Sequence, residues 1–131
     1  MREIKITSNK RNEMIDVTDK VQKIVEEEKL QNGIVIIYVP HTTAGVTINE
    51  GADYNVQRDI IETLKKLVPE NNSYHHMEGN SDAHIKASLL GSSVSVIVEN
   101  NSLILGTWQR IFFYEADGPR NRILYLKFLK K

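Results

Sequence analysis

Three of the four histidines lie in one polar stretch, HHMEGNSDAH, at residues 75–84. The same stretch carries Glu78, Asn80 and Asp82 and almost no apolar side chains. Imidazoles and carboxylates are ligands for divalent metals, but the spacing does not match the HExxH motif. Asp82 is also a favoured residue for capping a helix that carries His84. By spacing alone, the stretch indicates either a solvated loop or part of a metal site.

A second group of polar residues lies in PHTTAGVTINEGAD, residues 40–53. His41 directly follows a strongly apolar run and is expected to emerge at the edge of a sheet. Asn49, Glu50 and Asp53 lie at the far end of the next predicted strand, just before a helix. Asp53 suits a helix N-cap as well as acid chemistry, whereas Glu50 is not a favoured cap residue.

A third group lies in LGTWQRIFFYEADGPRNR, residues 105–122. Thr107, Trp108 and Gln109 follow a glycine that allows close approach of the backbone to a ligand. The residue type of Trp108, the only tryptophan, favours a core or interface role over a ligand contact, because tryptophan buries a large area. Arg120 follows a Gly-Pro turn, and its guanidinium suits a phosphate or a carboxylate, although exposed arginines in turns are common.

Composition excludes several classes of function. Seventeen basic residues balance seventeen acidic ones, so the chain lacks the basic excess typical of nucleic-acid binding. The absence of cysteine excludes disulfides, thiolate metal sites and cysteine nucleophiles, so any transition metal must be bound through nitrogen and oxygen. No GxSxG motif supports serine hydrolysis. The absence of a signal peptide and of any membrane-length apolar run predicts a cytoplasmic protein with no membrane partner.

The periodicity of apolar residues predicts an α+β protein with a single domain over residues 1–131. Strands are expected over residues 3–7, 14–17, 34–39, 46–48, 93–98, 103–105, 108–114 and 122–129, with helices from about residues 18, 55 and 82. The two longer helices and one short helix accompany mainly antiparallel strands, and this order favours a β-sandwich. The continuous apolar run Ile34–Val39 predicts a strand buried on both faces.

Four segments together resemble the YjbQ-like family, also called the secondary thiamine-phosphate synthase family: HTTAGVTINEGAD, YHHMEGNSDAHIKASLLG, LGTWQRIFFYEADGPR and NRILYL. The resemblance covers nearly the whole chain. It implies an α+β fold containing a β-sandwich and a homotrimer with its sheets packed around a threefold axis. It also implies a metal-binding cluster of His41, His76 and His84, whereas His75 falls on a variable position.

The resemblance further implies a weak thiamine-phosphate synthase activity, in which a pyrimidine diphosphate joins a thiazole phosphate and expels pyrophosphate. On this hypothesis Glu50, Asp53 and Arg120 are catalytic. The expected substrate contacts are Asn49, Asn80, Asp82, Thr107, Trp108 and Gln109. The divalent metal is expected to be zinc at the histidines, or magnesium if carboxylates and phosphate oxygens supply the ligands. The alternatives are a non-catalytic trimer that binds a metal or a phosphorylated ligand, and a metal-assisted phosphoester hydrolase.

Overall fold

The computed structural model describes residues 1–131 and contains eight strands and three helices in the predicted order. The strands are β1 (Arg2–Thr7), β2 (Glu13–Asp16), β3 (Gly33–Tyr38), β4 (Ala44–Glu50), β5 (Ser93–Glu99), β6 (Ser102–Leu103), β7 (Gln109–Glu115) and β8 (Asn121–Lys130). The helices are α1 (Thr18–Glu27), α2 (Tyr54–Leu67) and α3 (Ser81–Leu90).

The strands form two antiparallel sheets. The larger sheet has five strands in the order β1-β8-β3-β5-β6, and the smaller has three in the order β2-β7-β4. Every pairing between neighbouring strands is antiparallel. The α+β class and the sandwich of antiparallel strands are therefore confirmed.

The main core lies between the two sheets. Alternate residues of the large sheet point inward, because successive side chains of a strand point to opposite faces. The inward face of the small sheet and the apolar stripe of α1 cover them. This cluster of 18 buried residues includes Ile4, Ile6, Val21, Val25, Val35, Ile37, Val46, Val96, Val98, Ile111, Phe113, Leu124 and Leu126.

Helices α2 and α3 cover the opposite face of the small sheet. A second apolar cluster there contains Met14, Ala83, Phe112, Tyr114 and Ala116, against which Ile60, Ile61, Leu64 and Leu90 pack with partial burial. No residue of α2 is fully buried, although the helix is amphipathic. No helix in the chain combines the length and the apolar character that crossing a membrane would require.

The outward face of the large sheet carries apolar side chains that nothing in the chain covers. In β3, Val35 and Ile37 are buried, whereas Ile34 and Tyr38 are 39% and 47% exposed. The prediction that this strand is buried on both faces is therefore wrong for the single chain. Exposed Ile97 of β5 and Leu129 of β8 both pair with Ile34 on this face, and exposed Ile104 lies beyond β5.

Candidate functional site

A polar cavity of about 520 Å³ brings together all three histidines that the family resemblance singles out. None of its ten lining residues is hydrophobic. We call it the histidine cavity, and its lining residues are Pro40, His41, Thr42, Thr43, His76, Glu78, Asn80, His84, Arg120 and Arg122. Three separate parts of the chain meet here: the end of β3, the segment from residue 76 into α3, and the start of β8.

His76 and His84 meet edge to face at the rim of the cavity. Their ring centroids are 5.4 Å apart and the ring planes are 89° apart. His84 lies in the first turn of α3, and His76 lies in the segment before that helix. The Nε2 atom of His76 is 3.9 Å from Glu78 Oε1, the only carboxylate that lines the cavity.

His41 is held against the backbone of β8. Its Nε2 lies 3.0 Å from the amide nitrogen of Ile123 and 3.1 Å from the carbonyl oxygen of the same residue. The pKa of His41 lies below its ordinary value, because burial and the positive charge of Arg122 both disfavour the imidazolium. The ring is therefore neutral at neutral pH, with Nδ1 as the nitrogen not engaged by Ile123.

The donor set suits a divalent metal, although the three imidazoles do not converge. No group of three or more His, Cys, Asp or Glu side chains is close enough to hold a metal ion. For Zn–N bonds of ~2.0–2.1 Å, two imidazoles on one tetrahedral zinc have centroids ~5 Å apart. The His76–His84 pair fits this separation. The Ile123 amide can only donate, so its 3.0 Å contact makes Nε2 of His41 an acceptor and places the proton on Nδ1. Nδ1 has a free lone pair for a metal only in the other tautomer, in which Nε2 donates to the Ile123 carbonyl.

Arg120 presents part of its guanidinium to the cavity. Its Nε donates to the Asp117 carbonyl oxygen at 2.9 Å, and Nη2 donates to Asp117 Oδ2 at 2.9 Å. Its backbone amide donates to Ser8 Oγ at 2.9 Å. The Nη1 atom has no hydrogen-bond partner in the protein, and the side chain is about half exposed. The arrangement offers a positioned cation with free donors.

Asn80 connects this arginine to the start of α3. Its Nδ2 donates to Asp117 Oδ2 at 3.0 Å, and its backbone carbonyl accepts from the amides of Ala83 and His84. Its Oδ1 is buried without a hydrogen-bond donor. Because an unpaired buried acceptor is costly, this atom is a ready contact for a donor on a ligand. The predicted substrate contact at Asn80 therefore lies in the cavity.

Behind the cavity, Arg122 and Glu115 form a buried ion pair that the sequence analysis did not identify. Nε and Nη2 of Arg122 donate to the two carboxylate oxygens of Glu115, and Nη2 also donates to Thr43 Oγ1 at 2.8 Å. Burial alone would raise the pKa of Glu115, but hydrogen bonds from Arg122, Ser8 and the Asp117 amide outweigh it and lower the pKa. A signal was available, since Arg122 is in phase with the inward residues Leu124 and Leu126 of β8.

Asp82 does not lie where a substrate contact is expected. It is fully buried in the first turn of α3, and its two oxygens accept from Lys86 Nζ at 3.0 Å and Arg11 Nη2 at 2.9 Å. It does not line the histidine cavity. The N-cap of α3 is Asn80, which makes no side-chain capping bond. These contacts favour a structural role for Asp82.

The remaining predicted site residues lie at the other end of the small sheet. Residue Ala44 of β4 pairs with Glu115 of β7, whereas Glu50 pairs with Gln109, and the seven-residue strand between them spans about 20 Å. A single protomer therefore does not bring these residues into the histidine cavity. We call this group the strand-end cluster: Asn49, Glu50, Asp53, Thr107, Trp108 and Gln109.

Two members of the strand-end cluster have local structural contacts. Asp53 is the N-cap of α2 and accepts from the Asn55 amide at 2.9 Å. Gln109 Oε1 accepts from the Gly106 amide at 2.8 Å and closes the turn before β7. Trp108 is 62% exposed, so it is not a core residue of the single chain.

The fold and the cavity define a class of protein: an antiparallel α+β sandwich with a histidine- and arginine-lined cavity at one end of its sheets. The family model described as UPF0047 protein YjbQ-like matches residues 2–131, and the chain belongs to this family. It is 52% identical to a UPF0047 protein of Methanocaldococcus jannaschii over 95% of this chain and 90% of that one. It is 48% identical to the UPF0047 protein YugU of Bacillus subtilis over 98% of each chain.

Solved structures agree with the sequence relatives. A crystal structure of a YjbQ/UPF0047 family protein from Clostridium acetobutylicum matches with a TM-score of 0.97 at 48% identity, covering 98% of this chain and 100% of that chain. A YbjQ-like protein of unknown function from Sulfolobus solfataricus matches with a TM-score of 0.95 at 34% identity, covering 99% and 96%. The fold is therefore shared along the whole chain.

Proposed function

We propose that the protein is an enzyme that acts on a phosphorylated small molecule bound in the histidine cavity. The observation that carries the proposal is the lining of this cavity. Two arginines, three histidines and a single carboxylate line it, with no hydrophobic side chain among them. Such a lining favours a polar, anionic ligand over an apolar one.

Arg120 is the group best suited to contact a phosphate. Asp117 orients its guanidinium, while Nη1 remains free to donate. The N-terminus of α3 adds to the local positive potential, since Asn80 and His84 of that turn both line the cavity. Arg122 lies behind, where its charge is balanced by Glu115. A diphosphate would therefore contact Arg120 directly and receive longer-range stabilisation from the helix.

Thiamine-phosphate formation is the candidate reaction, and its choice rests on the family resemblance. A ring nitrogen of the thiazole forms a bond to the methylene carbon of the pyrimidine as the carbon–oxygen bond to the diphosphate breaks. The electron pair of the broken bond leaves on pyrophosphate, so negative charge develops where Arg120 would bind. Stabilising such developing charge by a fixed donor is a common and large contribution to catalysis.

A divalent metal is part of the proposal. His76 and His84 would hold it, with Nδ1 of His41 as the third candidate ligand. When bound, the ion would supply electrophilic stabilisation of phosphate oxygens. The roles assigned to Arg120 and Asn80 do not depend on it.

The direct test is to incubate the purified protein with the pyrimidine diphosphate, the thiazole phosphate and a divalent metal, and to measure thiamine phosphate by chromatography. We expect Arg120→Ala to lower kcat/KM by roughly tenfold or more, the loss of about one charged hydrogen bond. Arg58→Ala is the matched control, because Arg58 is exposed on α2 and its ion pair is with Glu62. Equal activity in wild type and Arg120→Ala would contradict the proposal.

One observation favours a second candidate, a non-catalytic protein that binds a phosphorylated ligand. The acids Glu50 and Asp53 lie at the opposite end of β4 from the histidine cavity, which leaves Glu78 as the only carboxylate that lines it. Calorimetry with inorganic pyrophosphate separates the two candidates. Binding that Arg120→Ala weakens, together with no product above background in wild type, would support the binding protein over the enzyme.

We also propose that the protein forms a homotrimer through the outward face of the large sheet. The exposed apolar side chains of Ile34, Ile97 and Leu129 support this, since large exposed apolar patches usually mark interaction surfaces. Native mass spectrometry of Ile97→Asp should give a smaller species than wild type. Ile85→Asp, at another exposed isoleucine, should leave the assembly intact. A wild-type monomer would contradict the assembly without affecting the proposed chemistry.

A further inference from the structure

A second cavity, lined mainly by polar and charged residues, lies on the other side of the ion-pair network that supports Arg120. Its volume is about 510 Å³, and Ile61 is its only hydrophobic lining residue. The segment between β1 and β2, the C-terminal part of α2 and the buried side of α3 enclose it. We call it the lysine cavity, after Lys10, Lys65 and Lys86, which line it together with Arg11, Asn12 and Glu70.

Lys86 is unusual among these cations because its side chain is only 1% exposed. Its Nζ donates to Asp82 Oδ2 at 3.0 Å and to Asn12 Oδ1 at 3.1 Å. An ammonium group has three donors, so one N–H of Lys86 has no protein acceptor. A buried charge with an unused donor beside a cavity is a natural contact for a bound anion.

Arg11 is already surrounded by carboxylates, although its buried Nε makes no hydrogen bond of good geometry. Its three nitrogens each lie beside a different carboxylate: Nε is 2.7 Å from Glu70, Nη2 is 2.9 Å from Asp82 and Nη1 is 3.0 Å from Asp117. Glu70 and Asp82 together balance Arg11 and Lys86. Because Glu70 is paired with Arg11, its carboxylate does not neutralise Lys10 or Lys65.

Lys10 and Lys65 supply two further positive charges, and the Glu13 carboxylate near Lys10 accepts from the backbone amide of Lys10 at 3.3 Å. Neither forms an ion pair with any residue of the chain, and both are exposed at the rim of the cavity. Two unpaired ammonium groups at the entrance and one buried ammonium at the base focus positive potential into one space. The pattern suits a compact oxyanion that takes one hydrogen bond from Lys86 and is enclosed by the two rim lysines.

We propose that the lysine cavity is a binding site for a phosphate group, distinct from the histidine cavity. The ligand is either free inorganic phosphate or the phosphate group of a small metabolite. This site does not depend on the proposed function of the histidine cavity. The two sites are separated by the chain of contacts Lys86–Asp82–Arg11–Asp117–Arg120.

The test is a titration of ¹⁵N-labelled full-length protein, monitored by amide chemical shifts at constant ionic strength. Inorganic phosphate is the probe in one arm and glycerol 3-phosphate in the other. We expect saturable chemical-shift changes at Asn12, Asn71 and Lys86 with at least one of the two probes. The probe that binds more tightly shows whether the site takes free phosphate or a phosphorylated metabolite. Shifts confined to the amides around Arg120 would overturn the proposal while leaving the proposed function intact.

Two double variants decide whether the lysines are responsible. Lys10→Ala with Lys65→Ala should weaken phosphate binding at this cavity by roughly tenfold or more, because it removes both unpaired cations. Lys20→Ala with Lys23→Ala removes the same charge from the exposed face of α1 and should leave the affinity unchanged. Equal losses in the two variants, or shifts that do not saturate, would show only non-specific screening and would refute the site. The test uses Lys10 and Lys65 because Lys86→Met would remove the buried partner of Asp82 and destabilise the fold.

Discussion

Asp117 holds the guanidinium of Arg120 through two hydrogen bonds, one to its carbonyl oxygen and one to Oδ2, both 2.9 Å long. The same carboxylate accepts from Arg11 Nη1 at 3.0 Å and from Asn80 Nδ2 at 3.0 Å. One nearly buried carboxylate thus orients three side chains, two of which line the histidine cavity. The position of the free donors of Arg120 depends on a residue that does not itself line the cavity.

Asp117→Asn is expected to lower the free energy of unfolding by about 2–4 kcal/mol, since it weakens several charged hydrogen bonds. The same change should weaken pyrophosphate binding, because Arg120 loses its fixed orientation. Urea unfolding and calorimetry measure the two effects. Asp59→Asn, at an exposed aspartate that forms no ion pair, is the matched control. A variant as stable as wild type would show that Asp117 is not the organising residue.

Glu115→Gln is expected to be among the most destabilising single changes in the chain, at about 3–5 kcal/mol, because it leaves the buried Arg122 without its counter-charge. Glu99→Gln, at an exposed position of β5, should change stability very little. Thermal and urea unfolding of both variants provide the comparison. A small effect at Glu115 would mean that water or movement of Arg122 compensates the lost charge.

Glu115 also predicts how stability depends on pH. Hydrogen bonds overcome the effect of burial and keep its pKa in the folded state below the ordinary value of 4.5. The stabilising contribution of the Glu115 carboxylate is therefore complete at pH values above its pKa in the unfolded chain. It is lost as the pH falls through its lower pKa in the folded protein. The stability difference between wild type and Glu115→Gln should shrink on acidification over this range. A constant difference would refute the assignment.

His41 predicts a second dependence on pH, with its own range. Burial and Arg122 place its folded pKa below the ordinary value of 6.5, so the unfolded chain takes up this proton first. Stability should fall as the pH drops from about 6.5 towards the folded value, and His41→Gln should lack this component. Titration of the imidazole signals by NMR measures the pKa directly. A value above 6.5 would contradict the geometry of the site.

Zinc binding can be tested without any assay of activity. Calorimetric titration with zinc alone should show that His84→Ala and His76→Ala each lower the affinity by roughly tenfold or more, because each removes one ligand. His75→Ala is the matched control, since this exposed histidine precedes His76 and does not line the cavity. Equal zinc affinity in all three variants and wild type would exclude the histidine pair as the metal site.

Asp53 separates a structural from a catalytic role. Because Asp53 is the N-cap of α2, Asp53→Ala should lower the free energy of unfolding by about 1 kcal/mol. Asp53→Asn should lower it by only a few tenths of a kcal/mol. Chemical denaturation of both variants checks this order. If Asp53→Asn keeps full stability and yet abolishes turnover, the carboxylate has a chemical role beyond the cap.

Much of the fold could be predicted from local patterns. The apolar alternation of β1 and β8, the stripe of α2 and the stops at Pro69 and Gly91 depend on neighbouring residues alone, and the observed elements agree closely with them. The apolar run of β3 predicts a strand buried on both faces, but a single chain covers only one of them. Periodicity reports that a face is apolar and does not report what packs against it.

The candidate site could be predicted only in part. Residue type and turn context indicate that the histidines are possible metal ligands and that Arg120 suits an anion, whereas the choice of His41, His76 and His84 and the role of Asn80 follow from the family resemblance. The ion pairs of Arg122 with Glu115 and of Asp82 with Lys86 and Arg11 could not be predicted in this way. Predicting them requires knowing which strands and helices pack together. Pairing between β2 and β7 and between β4 and β7 joins residues distant in sequence, and no local spacing encodes it.

The sequence by itself therefore determined the elements, the α+β class and the polar stretches in which chemistry is concentrated, because these follow from local periodicity and residue type. The family resemblance implies that His41, His76 and His84 form a cluster, and the tertiary structure shows that all three line one cavity with Arg120 and Arg122. The tertiary structure also places Glu50 at the end of β4 far from the histidine cavity, and it places Lys86 in the lining of the lysine cavity. The physical reason is that site geometry depends on strand register and long-range packing, which arise only when the sheets close over their common core.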